Sequence, residues 1–283
     1  MADRRVISAP AKLNLALRVG RREDDGYHPI ASLMVALDGL DDKVTLTHAA
    51  TRRLVCPGAP EGPANLAWRA LDALEAHVGR ALPAHITITK RIPLQAGLGG
   101  GSSDAAAVLV GVNDLYELDL PAATLESVGA EVGSDVPFFV RGGTQWATGR
   151  GERLVQQPLP RDLWALVCGP VVALSTADVY RAFDRLRSAD DLDPRPPSGA
   201  WVGAPWVTNE LWRAARALAP ALGQTADQLL RHGADHAILC GSGGAIAGLW
   251  SDRDRAVAAA GQIESVLALV CPGAPRADGD PDR

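Results

Sequence analysis

The segment with the clearest chemical signature is rich in glycine: residues 95–110 read QAGLGGGSSDAAAVLV. Four glycines fall within five positions, and Ser102, Ser103 and an apolar run typical of a helix follow them. The first N–H groups of a helix lack partners within the helix and lie at its positive end, so they attract anions. Because glycines let an anion approach without Cβ atoms in the way, the segment predicts a phosphate-binding loop. The two serines are suited to capping the helix, binding a phosphate oxygen or helping to hold a magnesium ion.

This loop differs from the two commonest phosphate motifs. No Gly-Lys-Ser/Thr sequence follows it, as a Walker A motif requires, and the third glycine of a dinucleotide fingerprint would fall on Ser102. A flexible connection ending in a good helix cap is the alternative interpretation. Four glycines next to two hydroxyl groups favour phosphate binding.

Short strands and helices precede and follow the loop. Alternating apolar residues predict strands in RRVISAPAKLNLALRV, KVTLTHA and HITITKR, and helical spacing predicts a helix in NLAWRALDALEAHVG. In the second half, LWALVCGP and HAILCGSGGAIAGLW are typical of strands, and STADVYRAFDRL and NELWRAARALAP of helices. The pattern predicts an α+β fold in two parts.

A Pro-bounded linker after a predicted hairpin places the domain boundary near residue 158. We therefore expect an N-terminal ATP- and substrate-binding domain over 1–158 and a C-terminal domain over 159–270. The remaining segment, 271–283, reads CPGAPRADGDPDR and is predicted to be disordered.

Composition excludes several function classes. A net charge of −5 argues against a nucleic-acid partner, which normally meets a basic face. Four scattered cysteines fit reduced thiols better than disulfides or a zinc site. The N-terminus lacks the apolar stretch of a signal peptide, and no apolar run is long enough to span a bilayer. These features predict a cytoplasmic protein without a membrane partner, either a monomer or a weak homodimer.

Four segments together carry a resemblance to a known family. The pattern P-x-x-x-G-L-G-G-G-S-S, from Pro93 to Ser103, resembles the phosphate loop of the galactokinase, homoserine kinase, mevalonate kinase and phosphomevalonate kinase (GHMP) superfamily. The segments APAKLNLALRV, DDGYHPIASLM and GSDVPFFVRGG are similar to those of the branch that phosphorylates a CDP-linked methylerythritol in the non-mevalonate isoprenoid route. The resemblance implies a ribosomal-protein-S5-domain-2-like N-terminal domain and a ferredoxin-like α/β sandwich as C-terminal domain. It also implies Mg²⁺-ATP as co-substrate, no prosthetic group, and a small-molecule acceptor carrying CDP.

The resemblance implies that Lys12 and Asp135 are the catalytic pair. Asp135 would orient the acceptor hydroxyl and take its proton, while Lys12 would keep that carboxylate ionised and offset charge on the transferred phosphoryl group. Lys12 is one of only three lysines in the chain. Taken singly, Asp135 also fits a helix N-cap ahead of Pro137, and Lys12 a solvated lysine in a strand.

Five positions match the acceptor site of that branch. Asn14 would contact the methylerythritol part, Tyr27 would stack on cytosine, and His28 would read the polar edge of the base. In the second half, Thr176 matches a substrate-contacting threonine and Tyr180 falls where a second aromatic ring closes on the base.

The nucleotide site is implied in the same way. Asn65 and Lys90 match positions near the adenine. The residues that would cradle the phosphates are Pro93, Gly97, Leu98, Gly99, Gly100, Gly101, Ser102 and Ser103. The turn at Gly241–Gly243 resembles a third motif that stabilises this loop, although Gly244 and Ala245 stand where the family commonly has a Pro-Thr pair. No metal ligand stands out.

Three other functions remain open from the residues. A kinase of the same superfamily acting on mevalonate or homoserine would not need the Gly-Tyr-His segment. A non-catalytic RNA-binding module would be basic and would not need Lys12, Asp135 and a phosphate loop together. An inactive nucleotide sensor is distinguished only by turnover. His232 and His236 are four residues apart, but Gly233 interrupts the helix, so they predict surface histidines rather than a zinc site.

Overall fold

The computed structural model of the chain describes residues 4–158, 160, 162–186 and 192–275. Eight helices and 11 strands occur within these ranges. The strands are β1 (Arg4–Val19), β2 (Ile30–His48), β3 (Arg53–Val55), β4 (Ala84–Thr89), β5 (Thr144–Gly149), β6 (Arg153–Gln156), β7 (Trp164–Cys168), β8 (Thr208–Asn209), β9 (His236–Leu239), β10 (Ile246–Trp250) and β11 (Val266–Pro272). The helices are α1 (Leu66–Val78), α2 (Gly100–Leu115), α3 (Ala122–Val132), α4 (Val136–Arg141), α5 (Thr176–Leu186), α6 (Trp212–Leu218), α7 (Ala221–Arg231) and α8 (Arg253–Ala260).

The N-terminal half is built on the long antiparallel pair β1–β2. One end of β2 pairs with β5 and the other with β4, so this strand organises the sheet. Alternation along the strands turns residues such as Ile7, Leu46 and Ile86 onto one face, where they pack with helices α1 and α2 in a dry core. This packing fixes the start of α2, and hence the glycine-rich loop, relative to β1.

The C-terminal half has the strand order β11-β7-β10-β9. Helices α5 to α8 cover one face of these strands around Trp250, Leu222 and Leu229. Strand β11 also pairs with β2, through Cys271 opposite Asp38. Among the described residues, the two halves therefore share one continuous 11-stranded sheet.

The predicted α+β class is confirmed, and each predicted strand and helix named above has a counterpart in the structure. The sequence pattern did not indicate α8 or β11. The predicted disordered tail was wrong for Cys271 and Pro272, because backbone pairing with β2 places both in β11. Residues 276–283 of that tail lie outside the described residues. The boundary near residue 158 stays a prediction.

None of the described helices is both long and apolar enough to cross a lipid bilayer.

Candidate active site

The glycine-rich loop joins β4 to α2 and leaves the start of that helix open. Gly97 and Gly99 have φ of +81° and +75°, left-handed values that favour glycine. Gly99 is the N-cap of α2, and no side chain caps it among the described residues. The amides of Gly100, Gly101 and Ser102 therefore lack partners within the helix, whereas the Ser103 amide donates to the Gly99 carbonyl at 2.9 Å. Such a helix start is suited to binding an anion.

The two serines of the loop have different surroundings. Ser102 is partly exposed in the first turn of α2, whereas Ser103 is fully buried. The Ser103 hydroxyl has no hydrogen-bond partner within the described part of the chain. Neither serine caps the helix in the described structure, and Ser102 is the accessible one. Binding of a phosphate oxygen or a metal ion stays a prediction for both.

The turn at Gly241–Gly243 packs directly on this loop. A Cβ atom on Gly97 would overlap the Cys240 carbonyl and lie 2.7 Å from the amide nitrogen of Gly243. Just beyond the turn, the amide of Gly244 donates to the Gln95 carbonyl at 3.0 Å. Backbone thus meets backbone with no room for side chains, and this contact holds the loop in its left-handed conformation.

The departure from the family pattern at Gly244 and Ala245 leaves this contact intact. Both residues donate backbone hydrogen bonds to the loop: the Gly244 amide to the Gln95 carbonyl, and the Ala245 amide to the Ala96 carbonyl at 3.2 Å. A Cβ atom on Gly244 would lie 2.8 Å from the carbonyl carbon of Val172, so the glycine also allows the neighbouring segment to approach.

The side chain of Asn209 holds the same turn in place, and the sequence analysis did not predict this residue. Its Nδ2 donates to the carbonyls of Leu239 at 2.9 Å and Gly241 at 2.7 Å, and its Oδ1 accepts from the Leu211 amide at 3.0 Å. The side chain is 4% exposed. Its sequence neighbours, Thr208 and Glu210, are polar as well, so nothing local points to a turn far along the chain.

Lys12 reaches the loop from β1. Its amide donates to the Leu98 carbonyl at 2.9 Å, and a Cβ on Gly99 would lie 3.1 Å from the Lys12 Cγ. The ammonium group lies 3.5 Å from Oδ2 of Asp135 and donates to Oδ1 of Asn14 at 2.6 Å. Lys12 is 5% exposed, so the alternative of a solvated strand lysine is wrong.

A short hydrogen-bond chain orients Asn14. Its Nδ2 donates to the Ser32 hydroxyl at 2.7 Å, and that hydroxyl donates to the Ala16 carbonyl at 2.7 Å. The chain fixes which end of the Asn14 amide faces Lys12. Ser32, fully buried on β2, was not predicted, because nothing in its local sequence distinguishes it from a core position.

Asp135 precedes α4 and faces Lys12. It occupies the N-cap position of that helix, yet its side chain makes no capping hydrogen bond in the described structure. Its carboxylate is one-third exposed, and a Cβ on Gly151 would lie 3.7 Å from its Oδ1. The predicted N-cap position is therefore confirmed, but the carboxylate itself does not cap the helix. The structure instead presents a carboxylate paired with a buried ammonium group at an open surface.

An aromatic cluster adjoins this pair. The His28 ring lies 5.2 Å from that of Tyr180, centroid to centroid. Tyr27 is 57% exposed, and the Arg150 guanidinium lies 4.1 Å from its ring centroid. Burial, together with the charge of Asp135, raises the pKa of Tyr180 to about 12. Tyr180 is therefore a neutral phenol near the carboxylate. The rings of His28 and Tyr180 pack together, whereas the Tyr27 ring meets Arg150, so a shared base site stays a prediction.

Thr176 lies at the start of α5, next to the glycine turn. Its hydroxyl and that of Ser242 are 2.8 Å apart, and both groups are exposed. This bond links α5 to the turn that packs on the phosphate loop, so the predicted acceptor-site threonine borders the same surface as Lys12 and the loop glycines.

Asn65 and Lys90, predicted to lie near an adenine, both have partners within the protein. Asn65 caps α1: its Oδ1 accepts from the Ala67 amide at 2.9 Å, and its Nδ2 donates to the Pro60 carbonyl at 2.8 Å. Lys90 pairs with two carboxylates, those of Asp42 and Asp104. Both residues lie beside the loop, since Leu66 contacts the Gly101 position and Lys90 the Gly100 position.

The carboxylate–lysine network around Lys90 joins the two ends of the glycine-rich segment, and sequence reasoning found only its lysine. Asp42, fully buried on β2, pairs with Lys90 and accepts from the amides of Arg91 and Ile92, just before Pro93. The Lys90 ammonium also donates to Oδ2 of Asp104 in α2 at 2.7 Å. One ammonium group thus ties the entrance of the loop to the helix that follows it.

Asp104 is the group in this network whose charge depends on pH. Burial, with the neighbouring Asp42 carboxylate adding to it and Lys90 opposing it, raises the pKa of Asp104 to about 7. Its Oδ1 is buried without a hydrogen-bond partner among the described residues. Two carboxylates and one ammonium leave a net negative charge that the interior disfavours.

Replacing Asp104 with asparagine is expected to change how stability depends on pH. Because the folded state binds a proton on Asp104 more tightly than the unfolded chain does, its contribution is fully present below pH 4 and is lost as the pH rises through 7. Between pH 5 and 8, the free energy of unfolding of the wild type should fall relative to Asp104→Asn by roughly 2–3 kcal/mol. Urea unfolding at four pH values measures this, with the exposed Asp227→Asn as control. A constant difference would mean that Asp104 stays ionised throughout.

No three His, Cys, Asp or Glu side chains cluster as a metal site in the described ranges. Mg²⁺ in phosphoryl-transfer sites takes one or two protein oxygens and otherwise phosphate oxygens and water. The oxygen groups that border the loop, the Ser102 hydroxyl and the Asp135 carboxylate, fit that demand.

Comparisons with known proteins identify the family of the chain. The model described as "GHMP kinases N terminal domain" matches residues 65–143, and "GHMP kinases C terminal" matches residues 206–269. A protein of Geobacter sulfurreducens named 4-diphosphocytidyl-2-C-methyl-D-erythritol kinase is 41% identical over 258 residues, which cover 90% of this chain and 92% of that protein. The chain belongs to this family of GHMP kinases. A relative of the same name from Mycolicibacterium gilvum is also 41% identical and covers 89% of this chain and 83% of its own length.

Solved structures support the family membership and the fold. The crystal structure of a 4-(cytidine 5'-diphospho)-2C-methyl-D-erythritol kinase superposes with a TM-score of 0.76 at 32% identity, covering 95% of this chain and all of that one. A homoserine kinase from Cytophaga hutchinsonii gives a TM-score of 0.70 at 19% identity over 93% of this chain and 89% of its own, which indicates a shared fold. The two-domain GHMP kinase fold is thus confirmed, and the protein is an ATP-dependent phosphotransferase.

Proposed function

We propose that this protein transfers the γ-phosphate of ATP to the 2-hydroxyl of 4-diphosphocytidyl-2-C-methyl-D-erythritol, giving the 2-phosphate and ADP. The reaction belongs to the methylerythritol phosphate route of isoprenoid and terpenoid precursor biosynthesis. The observation that carries the proposal is the Lys12–Asp135 pair, in which Lys12 bonds to the glycine-rich loop and Asp135 lies near Tyr180, whose ring packs on His28.

The loop supplies the nucleotide site. The open amides from Gly100 to Ser102 would bind the phosphates, and the close approach of loop and turn leaves the backbone free of Cβ atoms there. We assign Pro93, Gly97, Leu98, Gly99 and Ser103 to the frame of this loop. Asn65 and Lys90 border it and would approach the adenine side of the nucleotide while keeping their structural partners.

Asp135 is assigned as the proton acceptor. As the hydroxyl oxygen forms a bond to the γ-phosphorus, the bond from that phosphorus to the β–γ bridging oxygen breaks, ADP leaves, and the hydroxyl proton passes to the Asp135 carboxylate. The ammonium group of Lys12, 3.5 Å away, pairs with this carboxylate and opposes negative charge on the transferred group. Asn14 holds that ammonium in place and would contact the methylerythritol part.

A magnesium ion bound with ATP would neutralise phosphate charge, and the Ser102 hydroxyl is the side-chain oxygen of the first turn of α2 placed to help hold it. The group that accepts the hydroxyl proton, the Asp135 carboxylate, belongs to this chain.

The aromatic residues support a nucleotide conjugate as the acceptor. Stacking of a base on an aromatic ring contributes about 1–3 kcal/mol, and Tyr27 presents an exposed ring for it. Tyr180 packs beside His28 and would close on the other face of the base, and Thr176, bonded to Ser242 of the glycine turn, would contact the acceptor. Since one chain provides all of these groups and the substrates are water-soluble, the proposal includes a cytoplasmic monomer or weak homodimer as the working form.

A substrate panel tests the proposal. ADP release is measured with purified protein, Mg²⁺-ATP and one acceptor at a time: 4-diphosphocytidyl-2-C-methyl-D-erythritol, mevalonate or homoserine. We expect turnover only with the CDP-linked acceptor. Turnover with mevalonate or homoserine alone would keep the phosphate loop and catalytic pair and refute the cytosine site. No turnover with any acceptor would favour a nucleotide sensor.

A further inference from the structure

The exposed ring of Tyr27 has a cation over one of its faces. The guanidinium carbon of Arg150 lies 4.1 Å from the ring centroid, a position in which the cation and the ring attract each other. Tyr27 is nevertheless 57% exposed, which a ring covered on one face reaches only if its other face is open. The protein therefore occupies one face of this ring and leaves the opposite face to a ligand.

Asp25 connects the guanidinium to the backbone of Tyr27. Its Oδ1 accepts from the Tyr27 amide at 2.9 Å, and its Oδ2 pairs with Arg150. The hydrogen bond from the Tyr27 amide, followed by that from Arg150, holds the pKa of Asp25 below its ordinary value, so the carboxylate is ionised at neutral pH. The charge of Arg150 is thus balanced within the protein, which argues against a phosphate group as its main partner.

The main chain around the ring is fixed by its own segment. The Glu23 amide donates to the Tyr27 carbonyl at 2.8 Å, and the Gly26 amide donates to the Glu23 carbonyl at 2.9 Å. Because the Tyr27 amide is bound as well, the freedom left to this residue is rotation of its side chain among rotamers. The guanidinium over the ring restricts that rotation.

Arg150 lies in the turn between β5 and β6, which also borders the proposed catalytic pair. Oε2 of Glu152 accepts from the Arg150 amide at 2.7 Å, and the Gly151 amide donates to the Thr148 carbonyl at 3.1 Å, so the turn is held through its backbone. A Cβ atom on Gly151 would lie 3.7 Å from Oδ1 of Asp135. One short turn therefore lies next to the carboxylate of the transfer step and supplies the cation that covers the Tyr27 ring.

We propose that Arg150 is a positioning residue of the acceptor site: it holds the Tyr27 ring from one face so that the base of the acceptor stacks on the other. The inference rests on the proposed function, because it takes cytosine as the ligand of that ring. Guanidinium, ring and base then form three layers. Arg150 acts on the acceptor through the ring, while its charge stays paired with Asp25.

The test measures the affinity for CDP, the part of the acceptor that carries the base. Isothermal titration calorimetry is carried out with the nucleotide site filled by an ATP analogue that cannot be hydrolysed. The proteins are the wild type, Arg150→Ala, Arg150→Lys, Tyr27→Ala and the double variant of Tyr27→Ala with Arg150→Ala. Arg141→Ala is the matched control, because the Arg141 side chain is also 46% exposed and also pairs with a carboxylate, that of Glu126.

We expect the Kd for CDP and the KM for the CDP-linked acceptor to rise about fivefold in Arg150→Ala, because the base must then order the ring itself. The kcat and the KM for ATP should stay within a factor of about two, since the backbone of the turn is unchanged. Arg150→Lys keeps a cation able to pair with Asp25 and should recover most of the affinity, and Arg141→Ala should match the wild type.

The double variant identifies the route by which Arg150 acts. If Arg150 works through the ring, Tyr27→Ala and the double variant should bind CDP equally weakly, because the second substitution removes nothing that the first has left in place.

Two results would overturn the inference. One is an unchanged Kd for CDP and acceptor KM in Arg150→Ala. The other is a further fall in CDP affinity when Arg150→Ala is added to Tyr27→Ala, which would mean that Arg150 binds the diphosphate directly. If the wild type binds CDP without phosphorylating the CDP-linked acceptor, the proposed function fails, and the CDP titrations still decide the role of Arg150. A wild type that neither binds CDP nor phosphorylates that acceptor refutes both.

Discussion

Replacing Asp135 with asparagine is expected to lower kcat by about three orders of magnitude, the range that removal of a positioned general base produces. Asparagine keeps the size of the side chain but cannot accept the hydroxyl proton, and it no longer pairs with the Lys12 ammonium 3.5 Å away. The KM for ATP should change less than threefold, because the phosphate loop contacts Lys12 through its backbone and packs on the glycine turn, neither of which involves Asp135.

Steady-state kinetics with the CDP-linked acceptor measures this effect. Asp227→Asn on the exposed surface of α7 is the matched control and should retain full activity. Lys12→Met should lose about two to three orders of magnitude in kcat, as expected for removing one charge that stabilises the transition state. The double variant should be little worse than Asp135→Asn, since the two groups act as a unit. A kcat within tenfold of wild type in Asp135→Asn would reduce its role to positioning the hydroxyl.

The glycine-rich loop was predictable from the sequence because everything it needs is contiguous. The glycines, the serines and the apolar face of α2 lie within 95–110, and helix geometry alone turns them into an anion site. The catalytic pair was different. Lys12 and Asp135 lie on β1 and before α4, and only the family resemblance linked them, since no spacing rule joins residues so far apart.

The contacts that hold the site together were out of reach of local pattern. Asp42 reads as an ordinary charge next to Asp41, yet it is fully buried and binds both Lys90 and the amides that lead into the loop. Asn209 anchors a turn more than thirty positions away. The roles of such residues can be recognised only from the tertiary structure, because a buried polar group is stable only where its hydrogen-bond partners meet it.

The same reason explains the missed strand. Residues 266–270 are apolar but were assigned no strand, and the tail was predicted to begin at Cys271, where proline and glycine follow. The strand is stabilised by backbone pairing with β7 on one side and β2 on the other, and the local sequence does not indicate that pairing.

Replacing Gly97 with alanine is expected to have the largest effect of any single methyl group in the site. The added Cβ would overlap the Cys240 carbonyl and press on the Gly243 amide at 2.7 Å, in a backbone with φ of +81°. Left-handed strain and overpacking against rigid backbone together predict a loss of about 2–5 kcal/mol in the free energy of unfolding. Because the loop and the turn cannot both keep their places, kcat/KM for ATP should fall more than a hundredfold.

A matched control separates collision from strain. Gly79 ends α1 with φ of +69°, and a Cβ there would meet no atom within 4 Å. Gly79→Ala should therefore lose about 1–2 kcal/mol from strain alone and keep its kinetics. If Gly97→Ala yields too little folded protein, Gly243→Ala approaches the same contact from the other side, where its Cβ would lie 2.6 Å from the Ala96 carbonyl oxygen. Urea unfolding and ATP kinetics are measured on Gly97→Ala, or Gly243→Ala in its place, and on Gly79→Ala. Equal behaviour of Gly97→Ala and Gly79→Ala would mean that the turn does not hold the phosphate loop.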